Sequence, residues 1–392
     1  MMKKPWSVVT ALLLGSALLT ACGSGSGTTG AESGTINLGA NLELSGQVSA
    51  YGSSAKDGMQ LAVDEINQAG GVLGKKLNLI ALDNQSDTTQ STTIAQKLIE
   101  QKVVAILGPA TTGNTMAELN VATDAKIPII TPTGTAAKIT VDPNTGKVNE
   151  YAFRTCFIDP FQGTVGADFA RKDLNAKTAV LYVAQDSDYA KGLADAFKKE
   201  FEKQGGKVID SEQYTSTDSD FRATLTRIKS MNPDLLYIPN YYQDVGKIIK
   251  QARELGMNQP ILGGDGYDSD TLVQIAGAKN TNNVFFTNHY SSDDPDQKIQ
   301  DFVKKFQAKY NRKPDGFAAL GYDTVRLVAD AIKRAGSTDP VKIKDALAQT
   351  KNFDAVTGTM SIDAQHNPVK AAVVIEMKDG KQVFRTKIQP TT

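Results

Sequence analysis

Short apolar runs alternate along this chain with longer segments in which apolar residues recur every three or four positions. The apolar runs that we expect to form buried strands include 36–40, 77–82, 103–107, 179–183 and 235–238. Between them, spacings such as Met59, Ala62, Val63 and Ile66 are typical of one face of an amphipathic helix. Alternating strands and helices predict parallel sheets with right-handed crossover connections.

The number of predicted strands is too large for one open sheet of ordinary size. The 392 residues also suggest about two domains. We therefore predict an α/β fold of two doubly wound lobes with mainly parallel sheets. Three further short strands are predicted near the end of the chain, at 359–362, 371–377 and 382–388.

The segment 103–122 is the strongest candidate for a binding site in the first half. A predicted strand ends at Gly108-Pro109, and Thr111, Thr112 and Thr115 follow before a helical pattern begins. Backbone N–H groups and hydroxyls at the start of a helix can bind an anion such as a carboxylate. An ordinary strand-to-helix turn with a threonine N-cap is the alternative interpretation.

The residues that follow the other predicted strands differ between the two halves. In parallel sheets, ligands bind beyond the carboxyl ends of the strands. In the first half these positions hold hydroxyl residues, Thr131, Thr133 and Thr135. In the second half they hold acids and tyrosines: Asp186, Asp188, Tyr189, Tyr241, Tyr242 and Asp265. Hydroxyl and amide groups can bind a carboxylate, and acidic side chains can bind an ammonium group. A zwitterion bound between two lobes is therefore the simplest ligand. The alternative is that these threonines and acids cap helices and turns and that the tyrosines pack in the core.

The first residues resemble a bacterial lipoprotein signal. Lys3 and Lys4 precede an apolar stretch, 6–19, that is too short to span a bilayer, and Leu19-Thr20-Ala21-Cys22 then matches the lipobox pattern. We expect a signal peptide over 1–21, lipidation of Cys22 and a flexible tether over 22–34. We therefore expect the protein on the extracytoplasmic face of the cell membrane, at the outer surface or in the periplasm, held by a lipid anchor. A plain secretory signal is the alternative.

Charge and composition exclude several functional classes. Lys plus Arg and Asp plus Glu number 43 each, and no basic block is present, so we expect no nucleic-acid partner. The second cysteine, Cys156, lies in an apolar run and is expected to be buried. No phosphate-binding glycine loop, hydrolase motif or cluster of histidine and cysteine occurs. We therefore expect neither catalysis nor a cofactor nor a metal, and a monomeric protein.

With these features in place, the chain resembles the branched-chain amino-acid (leucine/isoleucine/valine)-binding proteins of ABC importers, which are type I periplasmic binding proteins. The resemblance covers about 36–387 and rests on the ordered motifs NLELSGQVSAYG, DEINQAGGVLGKKL, GPATTGNT, TPTGTA, DSDYAKG and ARELGM. It implies two lobes joined by three crossing segments, near 154–158, 286–290 and 357–361. Lobe 1 would comprise 35–155 and 288–358, and lobe 2 would comprise 156–287 and 359–392.

The resemblance also implies a binding site and a role. Its ligand residues map onto Thr111 and Thr135 for the ligand carboxylate, Thr133 for a backbone contact, Asp265 for the ammonium, and Tyr51, Tyr189, Tyr241 and Phe317 for the cleft walls. The lobes would close over an amino acid and deliver it to membrane permease subunits. A ligand sensor of the same fold, or a binder of urea, an amide or an aromatic acid, remains an alternative.

Overall fold

The computed structural model describes residues 34–389. The predicted signal peptide 1–21, Cys22 and the tether up to residue 33 lie outside this range. No helix between residues 34 and 389 is both long enough and apolar enough to cross a membrane.

The first sheet has five parallel strands in the order β2-β1-β3-β4-β5. Its strands are β1 (Thr35–Leu42), β2 (Lys76–Asp83), β3 (Ile106–Leu107), β4 (Ile129–Thr131) and β5 (Ala152–Arg154). The helices between them are α1 (Ser49–Gln68), α2 (Thr88–Glu100) and α3 (Thr112–Asp124). This is a doubly wound order, in which the strand order reverses between β1 and β3.

The second sheet repeats that order and adds two antiparallel strands. It runs β15-β14-β10-β9-β8-β6-β7, and only β14 and β15 are antiparallel to their neighbours. Its strands are β6 (Thr178–Ala184), β7 (Lys207–Tyr214), β8 (Leu235–Tyr237), β9 (Ile261–Gly263), β10 (Val284–Asn288), β14 (Ala372–Lys378) and β15 (Lys381–Ile388). The helices of this half are α4 (Asp159–Lys172), α5 (Asp188–Lys203), α6 (Arg222–Met231), α7 (Tyr242–Glu254) and α8 (Asp270–Ala276).

The remaining elements complete the first half of the molecule and the connections. They are the helices α9 (Gln297–Tyr310), α10 (Gly316–Ala335) and α11 (Pro340–Ala348), and a small antiparallel sheet of β11 (Phe353–Ala355), β12 (Gly358–Ile362) and β13 (Pro368–Val369). Helices α9 to α11 pack with α1 against the first sheet, and Val356 and Ile362 join that core. The division into lobes at the residues given above stays a prediction.

Hydrophobic cores cover the sheets as the doubly wound pattern requires. Successive residues of β3, Ile106 and Leu107, belong to two different cores, because adjacent strand residues point to opposite faces. One of these cores includes α1 and α10 and the other includes α2 and α3. A third, larger core belongs to the second sheet and its helices. The predicted α/β class with mainly parallel sheets is confirmed.

The structure shortens one predicted strand and confirms the burial of Cys156. The strand predicted over 103–107 is shorter, because only Ile106 and Leu107 pair with both β1 and β4. Val103 and Ala105, which precede the strand, are buried as well, so hydrophobicity alone could not separate these residues from the strand. Cys156 is fully buried, as predicted, and burial raises the pKa of its thiol to about 12.

Candidate functional site

The carboxyl ends of the strands bring the predicted site residues to one region of the molecule. Strand β3 ends directly before Gly108-Pro109, whose peptide bond is cis, and α3 then begins at Thr112. In the second half, β9 ends at Gly263, and Asp265 begins a short 3-10 turn. Both positions follow the rule that the ends of parallel strands hold the functional residues.

The start of α3 does bind a carboxylate, but the carboxylate belongs to the chain itself. Glu43, which follows β1, accepts hydrogen bonds from the backbone N–H groups of Ala110 and Thr111, each at 3.0 Å. The Thr111 hydroxyl donates to Glu43 at 2.7 Å, and the Asn114 amide donates to it at 2.9 Å. Sequence reasoning missed Glu43. The signal that could have found it is an acid at the end of a strand that neighbours β3 in a doubly wound sheet.

The other two predicted threonines differ in their surroundings. The Thr133 hydroxyl donates to the carbonyl of Ala110 at 2.6 Å. The Thr135 hydroxyl is fully buried and faces the Asp159 carboxyl, on whose pKa it has a lowering effect. The hydroxyls of all three threonines are therefore directed at groups of the chain itself.

Asp265, which follows β9 of the second sheet, is the central acidic residue of the site in the second half. Its side chain is buried and accepts from the Gln162 amide at 2.9 Å and from the Tyr189 hydroxyl at 2.8 Å. His289 Nε2 lies 3.0 Å from its other oxygen. Because burial lowers the pKa of His289, the imidazole is neutral at neutral pH and donates to Asp265 without adding a charge. None of these three partners therefore brings a positive charge to Asp265.

Aromatic side chains form two stacked pairs beside Asp265. Tyr51 and Phe317 stack with ring centroids 4.1 Å apart, and Tyr189 and Tyr241 stack at 5.1 Å. The Tyr51 hydroxyl donates to the carbonyl of Gly266 at 2.5 Å, so the first pair contacts the loop that carries Asp265. Burial raises the pKa of each of the three tyrosines well above its usual value, which keeps their hydroxyls protonated.

These groups enclose a small cavity. Its walls are Tyr51, Ala110, Thr112, Thr133, Tyr189, Tyr241, Asp265, Gly266 and Phe317. Six of the eight predicted ligand residues are therefore together, whereas Thr111 lines a neighbouring cavity and Thr135 lines neither. Thr112, which belongs to the predicted helix-start site together with Thr111, lines the small cavity. The cavity volume is about 10 Å³, which holds about one water molecule, so an amino acid can enter only if the walls move apart.

Two further polar residues near Asp265 were not predicted. Gln162 and Asp159 lie at the start of α4, and both are buried. Burial raises the pKa of the Asp159 carboxyl to about 7. Nothing in the sequence except their place at a helix start, after the strand β5, marked them as site residues.

A family model described as a periplasmic binding protein matches residues 35–382. A Leu/Ile/Val-binding protein homolog from Brucella melitensis is 31% identical over 327 residues, which is 83% of this chain and 86% of that protein. The Leu/Ile/Val-binding protein BraC3 from Rhizobium johnstonii is 32% identical over 328 residues, covering 83% of this chain and 87% of the relative.

Solved structures that are similar to this chain are also transporter substrate-binding proteins. The branched-chain amino acid transporter substrate binding protein LivJ from Streptococcus pneumoniae, in complex with isoleucine, has a TM-score of 0.85 and 40% identity, covering 91% of this chain and all of the other. An ABC transporter solute binding protein from R. palustris, in complex with benzoate, has a TM-score of 0.82 and 27% identity over 91% of this chain and 97% of the other. This chain belongs to the periplasmic binding protein family.

Proposed function

We propose that this protein is the extracytoplasmic substrate-binding component of an ABC transporter, that it captures a branched-chain amino acid between two closing lobes, and that it delivers the ligand to permease subunits. In this role it holds its ligand without chemical change and is not an enzyme. It is attached to the membrane by a lipid at Cys22. The relatives named above that bind Leu, Ile or Val support the ligand class.

The observation that carries the proposal is the position of Asp265. Its carboxylate faces a cavity whose other polar walls are Thr112 and Thr133, at the start of α3 and beside it. An ammonium group would bind Asp265, and a carboxylate would bind at Thr112 and Thr133, beside the N–H groups that Glu43 occupies. An aliphatic side chain would lie against the stacked aromatic rings.

Calorimetric titration with leucine, isoleucine and valine tests this proposal. We expect Asp265→Ala to weaken leucine binding by about 3–5 kcal/mol, which is on the order of a hundredfold or more, because the ligand ammonium is then buried without its counter-charge. Asp168→Asn is the matched control, since Asp168 lies on the surface of α4 and pairs with Lys172. Unchanged leucine affinity in Asp265→Ala would remove Asp265 from the site.

An aromatic acid is the second candidate ligand. The benzoate complex of the R. palustris protein and the stacked rings of this cavity favour it. Benzoate has no ammonium group, so its binding should not weaken when Asp265 is replaced by Ala. Titration of the wild type and of Asp265→Ala with benzoate therefore separates the two candidates.

A further inference from the structure

A buried aspartate, Asp268, lies three positions after Asp265. Its side chain is 1% exposed, and its backbone N–H donates to the carbonyl of Asp265 at 3.0 Å. Asp268 directly follows the short 3-10 turn Asp265–Tyr267, but it does not line the small cavity. Any effect of Asp268 on a ligand in that cavity must therefore pass through other residues.

Three hydrogen-bond donors from different parts of the chain converge on the Asp268 carboxylate. One oxygen accepts from the Asn288 amide at 2.7 Å and from the backbone N–H of Gly316 at 2.6 Å. The other oxygen accepts from the Gln382 amide at 2.6 Å. These donors lie at the end of β10, at the start of α10 and on β15. A carboxylate suits this position because both of its oxygens accept hydrogen bonds.

The bond to Gly316 leads to an aromatic wall of the small cavity. Gly316 is the first residue of α10, and the next residue, Phe317, lines the cavity and stacks on Tyr51. The approach is close, because a Cβ at Gly316 would lie 2.9 Å from an oxygen of Asp268. This bond therefore fixes the start of α10, and with it the Phe317 ring, relative to the loop that carries Asp265.

The bond to Asn288 leads to Asp265 itself. The amide oxygen of Asn288 accepts from the backbone N–H of His289 at 2.8 Å. The Nε2 atom of His289 in turn lies 3.0 Å from the Asp265 carboxylate. One side chain, Asp268, thus connects the aromatic wall on α10 with the strand end and the loop that surround the acid of the site.

We propose that Asp268 is a positioning residue of the ligand site, which holds the Phe317 ring against the space that the ligand side chain fills. This inference rests on the proposed function, in which an aliphatic side chain lies against the stacked rings. If the start of α10 shifts, the ring withdraws apolar surface from the ligand. The longer side chain of leucine then loses more contact than that of valine, so Asp268 influences which amino acid is preferred.

Asp268→Ala tests this inference. The substitution removes the acceptor of the Gly316 N–H and of the Asn288 amide, so the start of α10 shifts as these buried donors find other partners. In calorimetric titrations we expect the ratio of the dissociation constant of valine to that of leucine to fall about threefold. This change is close to the effect of one buried CH2 group.

Asp323→Ala is the matched control. Asp323 is fully buried on the same helix and also accepts three hydrogen bonds, from the N–H groups of Val356 and Thr357 and from the Thr357 hydroxyl. It does not line the small cavity, so this control should lower the free energy of unfolding without changing the valine-to-leucine ratio.

Gly316→Ala disturbs the same contact from the other side. The added Cβ would lie 2.9 Å from Asp268 and 2.8 Å from the Asn288 amide oxygen, so the start of α10 must move although the carboxylate is intact. We expect the same fall in the ratio. Gly166→Ala, whose Cβ would meet no atom closer than 3.6 Å, is the control. This variant keeps the test decisive if Asp268→Ala fails to fold.

A double-mutant cycle identifies the route of the effect. In a Phe317→Leu background, Asp268→Ala should no longer change the ratio, because the ring through which it acts is absent. An unchanged or raised ratio in either folded variant, Asp268→Ala or Gly316→Ala, would overturn the inference. An equal fall in Asp323→Ala, or a full fall in the absence of the Phe317 ring, would also overturn it. If the wild type binds none of leucine, isoleucine and valine, the proposed function fails and this inference fails with it.

Discussion

Some residues of this site can be predicted from the sequence pattern, whereas others can be identified only from the fold. Asp265 and Tyr241 follow predicted strands, and a parallel sheet places such residues at one edge. Glu43 also follows a strand, but its role depends on β1 lying beside β3, which spacing along the chain does not specify. The carboxylate at the start of α3 is that of Glu43, and the role of Thr111 in ligand binding stays a prediction.

Glu43 should be important for stability. It accepts four hydrogen bonds at the start of α3, and Glu43→Gln replaces one acceptor oxygen by a donor that faces N–H groups. We expect the free energy of unfolding, measured by urea denaturation, to fall by about 1.5–3 kcal/mol, the usual value for hydrogen bonds to a charged group. Glu254→Gln, which removes a half-exposed ion pair with Arg222, is the control. Equal stability of the two variants would contradict this role.

At the scale of elements, periodicity located the helices better than their ends. The apolar periodicity predicts a helix over 321–334. Helix α10 instead begins at Gly316, because the side chain of Asp315 caps it by accepting from the N–H of Ala318 at 2.9 Å. Gly321 lies inside the helix, where α10 crosses α1 closely.

Gly321 and Gly58 allow these two helices to touch through their backbones. A Cβ at Gly321 would lie 2.3 Å from the carbonyl oxygen of Ala55 on α1. Gly321→Ala must therefore push the helices apart, and we expect it to reduce the free energy of unfolding by about 1–3 kcal/mol. Gly166→Ala on α4 is the matched control, because its Cβ would meet no atom closer than 3.6 Å. At Gly166, the higher helix propensity of alanine should leave the free energy of unfolding unchanged or raise it. A stabilised Gly321→Ala would show that the crossing is looser than described.

Over the whole molecule, the alternation of strands and helices predicted the class of fold and the presence of two sheets. The alternation could not predict that the first strand of each half lies between the second and the third, as β1 and β6 do. It also could not predict that β14 and β15 extend the second sheet. Those features depend on contacts between segments far apart in sequence. The ligand site depends on them most, because its walls come from both halves of the chain.

The two halves are also joined directly, at the starts of α1 and α7. The Tyr242 hydroxyl donates to the carbonyl of Gln47 at 3.1 Å and accepts from the N–H of Ala50 at 3.4 Å. The backbone N–H of Tyr242 donates to the Tyr51 hydroxyl at 3.2 Å. Since the cavity is too small for an amino acid unless its walls separate, we expect these contacts to favour the closed form of the proposed binding cycle over the open one.

Tyr242→Phe should therefore weaken ligand binding without changing which amino acid is preferred, because Tyr242 does not line the small cavity. Loss of its hydroxyl should cost the closed form about 0.5–1.5 kcal/mol, so leucine affinity should fall roughly two- to tenfold, and stopped-flow dissociation should be correspondingly faster. Tyr310→Phe is the control, since its hydroxyl donates to the carbonyl of Asp57 within the first half. If both variants release leucine at the wild-type rate, the contacts at Tyr242 do not govern closure. If Tyr242→Phe instead alters the order of preference among leucine, isoleucine and valine, Tyr242 acts on the ligand pocket itself.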